Sequence, residues 1–354
     1  MDDHRQYRVE EGKVKDLWVQ GQEGDHINSK YCYWITLNMK KTLNRRQFTK
    51  MTAGAAAIIT VNPFSIMKNN RGETAYIRLG GPLFTKIDNP DDWVKALREY
   101  GYRAAYCPVD LSAGQDEIRA YMNAAKKADI IISEVGVWKN PISPNEKERK
   151  EALDKCIKSL QLADEIGANC CVNTSGSRNE KYWVGPHMDN LTDETFEMVV
   201  DTTRKIIDAV KPSNTFFTLE AMPWAFPYSV DSYLRLIQAI DRKGFAVHLD
   251  PVNLVVSPEI YFNNARLIED CFKRLGPFIR SCHAKDIFLR EDIYLPQLNE
   301  IRAGLGKLDY NIYLRELSKL KDVPLMMEHL NTDEEYKAAA EFIRGVGIKN
   351  GITI

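Results

Sequence analysis

The stretch DIIISEVGVWKNPISPNEKERKEALDKCIKSLQLADEIGANCCVNTSG, residues 129–176, decides the fold class. It opens on a short β-rich run, DIIISEVGV (129–137), and closes on another, NCCVNTSG (169–176). Between them lies the amphipathic stretch ERKEALDKCIKSLQLADEIGA (148–168). Strand, helix, strand in this order argues for a βαβ unit and a parallel sheet. The same period continues in both directions. Upstream are AYIRLGG (75–81) and RAAYCPV (103–109); downstream are TFFTLEA (215–221), FAVHLD (245–250), IRSCHAKD (279–286) and VPLMMEHL (323–330). Helical stretches fill the gaps, among them DDWVKALREYG (91–101), ETFEMVVDTTRKIIDAVK (194–211) and EEYKAAAEFIRGVG (334–347). Gly101, Gly167, Gly244 and Gly276 each fall just past a helical stretch, where a left-handed cap is expected.

Eight such units predict a closed α/β fold, the (β/α)8 TIM barrel, over residues 73–354 as one catalytic domain. A doubly wound sheet is the rival. It usually shows a GxGxxG turn after its first strand, and Leu79-Gly80-Gly81-Pro82 is not one. In a barrel the functional residues lie where the strands end at their C-terminal side.

The chain has 354 residues, which a length prior of roughly 150 per domain would divide in two. An α/β barrel of about 250 residues removes the need for that division. With 48 Lys+Arg against 49 Asp+Glu the formal charge is −1, so there is no broad electrostatic footprint for nucleic acid. No apolar run reaches the roughly 18 residues of a membrane span. The seven cysteines form no CxxC and are odd in number, which argues against a disulfide framework or a zinc ribbon.

Residues 1–38 are polar and aperiodic, and read as a disordered leader or a misassigned start. MKKTLNRRQFTKMTAGAAAIITVNPFS then begins at Met39. Lys40, Lys41, Arg45 and Arg46 make a basic segment ahead of a short apolar one, the layout of an export signal with its linker over 39–72. Arg45-Arg46-Gln47-Phe48 resembles the twin-arginine motif. It implies the twin-arginine export machinery as a partner and an exported or periplasmic protein, cytoplasmic only if the signal is unused.

Four polar residues close the last four strands, one on each: Glu220, Asp250, His283 and Glu328. A single acid at a strand end often caps the following helix. Four in register instead predict three carboxylates and an imidazole converging at the barrel mouth. This hard, mixed donor set suits Mn²⁺, Mg²⁺, Co²⁺ or Zn²⁺ without choosing among them.

Here the chain resembles the xylose isomerase-like TIM barrels, the sugar phosphate isomerases and epimerases. The resemblance rests on LEAMPW, HLDPVN, CHAKD and MEHL at the ends of strands five to eight. It covers about residues 73–350. It implies that Glu220, Asp250, His283 and Glu328 bind the metal and that Glu220 and Glu328 are the catalytic acid and base. Three positions depart from the ketose 3-epimerases. Asn253 stands where they place a His, Phe226 where they place a Glu, and Leu289, followed by Arg290, where they place an Arg. The metal and base layer is kept and the substrate layer is changed.

Lys285 follows His283 by two residues and shares its face, so it is a substrate contact, a support for a ligating residue or a partner of Asp286. His248 stands in the same relation to Asp250, as a partner supporting a ligating residue, a substrate contact or a core histidine. His329 should point away from Glu328 on a regular strand and is set aside. Trp138, Trp183 and Trp224 follow strands three, four and five, and are read as walls of a sugar pocket. Tyr182, Phe226, Tyr228 and Tyr261 lie in comparable loops. His187 and Asn253 complete the expected substrate-binding set. SGSRN (175–179) and AGLGK (303–307) place glycines where backbone could approach a ligand.

The chemistry expected is isomerisation or epimerisation of a small carbohydrate, by proton abstraction next to a carbonyl through an enediolate. Export favours an unphosphorylated sugar. Two alternatives remain: a lyase or hydrolase acting on keto-sugars or 3-keto-glycosides by the same enolisation, and a non-catalytic sugar-binding barrel. No interface signal decides whether the chain forms a homo-oligomer.

Overall fold

Each β-rich run contains a strand within its expected limits. In order these are β1 (Leu79–Gly80), β2 (Ala104–Tyr106), β3 (Ile131–Gly136), β4 (Cys170–Asn173), β5 (Phe217–Glu220), β6 (Phe245–Leu249), β7 (Ile279–Ala284) and β10 (Leu325–Met327). This computed structural model describes residues 75–354; the leader over 1–38 and the export signal over 39–72 lie outside the described residues. The eight strands form one parallel sheet in the order β1-β10-β7-β6-β5-β4-β3-β2. The Arg103 N–H donates to the Leu79 carbonyl at 2.9 Å and bridges β2 to β1, closing the ring. The strands are short and almost wholly buried, so they read as apolar runs rather than as alternating ones.

The helices follow from local chemistry. In α1 (Pro90–Glu99), Asn89 Oδ1 accepts from the Asp91 and Asp92 N–H groups, and Pro90 occupies the first turn. Trp93, Ala96 and Leu97 form its buried face, with Tyr100 as cap and Gly101 beyond it at φ +68°. Loss of the Asn89 cap should cost about 1 kcal/mol. The other helices are α2 (Gln115–Ala128), α3 (Glu146–Ile166), α4 (Asp193–Val210), α5 (Val230–Ile240), α6 (Pro258–Phe262), α7 (Asn264–Leu275), α8 (Tyr310–Leu317) and α9 (Asp333–Lys349). In α3, Cys156, Leu160 and Ala163 fall on one face and are fully buried. A buried leucine of this kind contributes roughly 2 kcal/mol.

Two of the four expected glycine caps differ. Gly167 caps α3 at φ +75° as expected. Gly276 is right-handed, at φ −43°, because it continues directly into a 3-10 turn, and Gly244 also lies outside the left-handed region. After α5 the left-handed residue is Asp241. Asp tolerates that conformation better than most side chains do.

An antiparallel hairpin of β8 (Asp286–Leu289) and β9 (Leu298–Ile301) leaves the barrel after β7. Its root is fixed by Asp286, whose carboxylate accepts from the N–H groups of Ile287, Gly304, Gly306 and Leu308 at 2.8–3.1 Å. The AGLGK turn therefore wraps an internal carboxylate. A Cβ at residue 306 would meet Asp286 Oδ1 at 2.4 Å, so only glycine fits there. SGSRN is likewise occupied from within. Asn140 bonds the Ser177 N–H and carbonyl at 3.0 and 2.7 Å, and a Cβ on Gly176 would strike its amide.

Candidate metal centre

Glu220 ends β5, Asp250 follows β6, His283 lies near the end of β7, and Glu328 follows β10. Tyrosines pin the main chain at these points. Tyr233 donates to the Leu219 and His248 carbonyls at 2.8 Å, Tyr313 to His283 at 2.7 Å, Tyr310 to Lys285 at 2.9 Å and Tyr106 to Met327 at 3.0 Å. The four polar side chains are thereby brought together, with one ligand atom from each lying within 4.8 Å of the others. His283 Nδ1 stands 3.0 Å from both Glu220 Oε1 and Glu328 Oε2. The centre is buried, from 0% exposed at Asp250 to 8% at Glu328.

Lys285 reaches into the same cluster. Its Nζ lies 2.7 Å from Asp250 Oδ2, 2.7 Å from Glu328 Oε1 and 3.1 Å from Glu300 Oε2. The lysine therefore pairs with the cluster and not with Asp286. Asp250 Oδ2 is buried and faces the Lys285 ammonium. Asp250 Oδ1 accepts from the Val252 N–H at 2.9 Å. Three buried carboxylates and an imidazole nitrogen converging within 4.8 Å are a donor set that fits a divalent cation.

The electrostatics follow from burial and charge. Burial opposes ionisation of Glu220 and Glu328, but His283 outweighs it, and both stay below the usual carboxylate range. Burial also opposes the positive charges of His283 and Lys285. The surrounding carboxylates win, led by Glu328 at the histidine and Asp250 at the lysine, and raise both groups well above their ordinary values. At Asp250 burial dominates, and the carboxyl is pushed up to about 6.

Above the cluster opens a cavity of about 1100 Å³. Trp138, Trp183 and Trp224 line it, as do Asn253 and Lys285. Asn253 Nδ2 donates to Glu220 Oε1 at 3.3 Å. Of the other expected contacts, His248 is fully buried beneath the cavity, and His187 lies outside it, capping residues 188–191. Phe226 and Tyr261 are buried too, Phe226 against Phe196 with ring centroids 5.2 Å apart. Tyr182 and Tyr228 are exposed outside the lining.

Three residues of the site escaped the sequence reading. Glu134 on β3 contacts His283 Nε2 at 3.1 Å and His248 Nε2 at 2.9 Å. Glu300 on β9 contacts Lys285 and, at 2.8 Å, His329 Nδ1. His329 adopts φ +58° because β10 ends at Met327, and this turns its ring back to the cavity wall. The same left-handed conformation occurs at Trp138, φ +53°, whose indole folds over Gly136.

An eight-stranded α/β barrel with a carboxylate–histidine cluster where its strands end is the architecture of a class of barrels that process small molecules at that face. Within the class, the family profile described as Xylose isomerase-like TIM barrel matches residues 94–346, and the chain belongs to that family. No curated protein matches it in sequence. Several solved structures share the fold. The probable 3-DHS dehydratase of Bacillus anthracis is 17% identical with a TM-score of 0.56, over 73% of this chain and 94% of that one. The 3-keto-D-glucoside 4-epimerase of E. coli is 15% identical with a TM-score of 0.56, over 76% and 99%. A xylose isomerase-like TIM barrel protein of Mycobacterium smegmatis, solved with magnesium, is 16% identical with a TM-score of 0.55, over 78% and 99%.

Proposed function

We propose that the protein is a metal-dependent sugar isomerase or epimerase, with Glu220, Asp250, His283 and Glu328 holding the cation and Glu220 and Glu328 moving the proton. One observation carries this reading: two carboxylates, both held ionised, flank one imidazole nitrogen at 3.0 Å on the floor of a large cavity. A divalent cation bound there would polarise a substrate carbonyl and stabilise the enediolate left when the neighbouring proton departs. Glu220 or Glu328 takes that proton. The same carboxylate returns that proton to the adjacent carbon for isomerisation; for epimerisation the other carboxylate, having first taken a proton from the medium, delivers it to the opposite face. Asn253 orients Glu220, and Lys285 holds Asp250 and Glu328 in place.

The cavity favours an unphosphorylated substrate. Among the described residues its lining contains Asp110, Glu134, Glu220, Glu300 and Glu328 but no arginine. Lys285 is committed to carboxylates, and Lys155 donates to the Val137 carbonyl at 2.7 Å. Among the described residues of the lining, a phosphate would meet five acids against Lys155 as the one cation not already paired with a carboxylate. Export, read from Arg45-Arg46, agrees with this.

A second reading, elimination from a keto-glycoside, is supported by size. A cavity of about 1100 Å³ exceeds the upper end of the usual range for a drug-sized ligand, so one sugar ring leaves most of it empty. Three tryptophans away from the polar floor would suit a second ring or an apolar aglycone. Incubation of the purified full chain with Mn²⁺ and a panel of ketoses and keto-glycosides in D2O tests both readings. Deuterium next to the carbonyl, lost in Glu220→Gln and Glu328→Gln, is the expected result, and a released aglycone selects elimination. Sugar binding without exchange would leave a non-catalytic barrel.

A further inference from the structure

Glu134 is a fully buried acid of the barrel, and the proton transfer above does not use it. It is 1% exposed, in the middle of β3. Its oxygens are divided between two histidines on other strands. Oε1 faces His283 Nε2 at 3.1 Å; Oε2 faces His248 Nε2 at 2.9 Å and accepts from Ser281 Oγ at 3.0 Å. Ser133 Oγ bonds Ser281 Oγ at 2.9 Å and completes the network. The two rings meet edge to face with centroids 4.0 Å apart. His248 Nδ1 has no partner, so Glu134 is that ring's one polar anchor among the described residues.

A carboxylate only accepts, so both imidazoles must present N–H at Nε2. For His283 the consequence is directional. With Nε2–H given to Glu134, the nitrogen left to offer a lone pair is Nδ1, which points between Glu220 and Glu328. We infer that Glu134 is a positioning residue that fixes the His283 tautomer and ring orientation, so that Nδ1 and not Nε2 faces the cation site. Glu134, His248 and His283 also lie close enough to form a ligand set of their own. Their polar atoms already satisfy one another, which favours the clamp over a second cation.

The inference rests on reading the four-residue cluster as a metal site, and its test separates the two claims. The full chain, labelled with ¹⁵N-histidine at its six histidines, is titrated with Zn²⁺. Long-range ¹H–¹⁵N spectra then show which nitrogen of each ring is protonated and which is metal-bound. The expected result is one equivalent of Zn²⁺ on His283 Nδ1, with Nε2 still protonated. Glutamine at 134 has one acceptor and would oppose one ring with an amide N–H. Glu134→Gln should therefore weaken Zn²⁺ binding by about 10–100-fold, the range for the loss of a carboxylate behind a ligating histidine. It should also disturb the Nε2 signals of both rings. Glu134→Asp, which keeps the two acceptors, should recover part of the affinity.

Zn²⁺ on His283 Nε2 overturns the inference, and it does so in the wild-type chain even if Glu134→Gln does not fold. Unchanged spectra and affinity in Glu134→Gln overturn it as well, as does a second equivalent of Zn²⁺ that this variant alone loses. If the wild-type chain takes up no Zn²⁺, the metal reading of the cluster falls. The metal-free spectra then decide the clamp alone, since Glu134→Gln must still shift the His248 and His283 nitrogens.

Discussion

Lys285 Nζ stands 2.7 Å from Glu328 Oε1, so a carboxylate assigned to proton transfer is held by a buried ammonium. The same ammonium lies 2.7 Å from Asp250 Oδ2. A lysine so placed neutralises the cluster and competes with any divalent ion that approaches it.

Lys285→Met should expose that competition. Without metal the variant leaves buried carboxylates uncompensated, and should be less stable than wild type by roughly 3 kcal/mol. Its affinity for Mn²⁺ should rise by about tenfold or more, the loss of a neighbouring like charge. Urea denaturation with and without Mn²⁺, beside calorimetric titration, checks both. Unchanged affinity would show that Lys285 does not oppose the ion.

Metal uptake should depend on pH through His283. Its value is raised above the ordinary 6.5, and a ligating Nδ1 must lose its proton. Apparent affinity should fall as pH drops, by up to about tenfold per unit if one proton is displaced. The stability of the metal-free chain carries the opposite sign. The histidine's contribution is fully present below 6.5 and is lost as pH rises through the raised value. The difference in Tm between loaded and metal-free protein should therefore widen with pH between 6 and 8, and a flat difference would count against the cluster.

His329 is held at φ +58°, a conformation that costs a side-chain-bearing residue about 1 kcal/mol relative to glycine. Both His329→Gly and His329→Ala lose the bond to Glu300. The glycine variant should nevertheless be the more stable of the two by that amount, measured by urea denaturation. Equal stability would mean that the backbone relaxes at this position.

Asp286→Asn should loosen the hairpin root. An amide presents one acceptor where the carboxylate serves four N–H groups. The Gly304 and Gly306 donors, both at Oδ2, are the pair an amide nitrogen would oppose. A loss of about 2–3 kcal/mol is expected, with faster amide exchange at residues 304–308.

The barrel was legible because each strand is a short, buried, β-rich run and most of the helices carry a side-chain N-cap beside an apolar face. Glu220, Asp250, His283 and Glu328 were legible as a set because barrel strands deliver their last residues to one rim. Glu134 was not, since nothing in SEVG separates an acid that seeks two histidines from one that meets solvent. The available signal was energetic: a carboxylate inside an otherwise apolar strand must find partners. Glu300 sits on a strand whose partner lies across eight intervening residues, too far for a tight hairpin turn to announce. For His329 the alternation of a regular strand was assumed beyond the point where β10 stops.

The hairpin bears on how such a site could diversify. Its root is gripped by main-chain N–H groups on one carboxylate, and its free arm delivers Glu300 to the cluster. Main-chain donors are indifferent to most side chains, apart from the glycines required at 304 and 306. The arm is therefore an exchangeable cassette. Its sequence and length can vary, and with them the charge and reach of one wall of the cavity, while the strands that carry the four-residue cluster stay untouched.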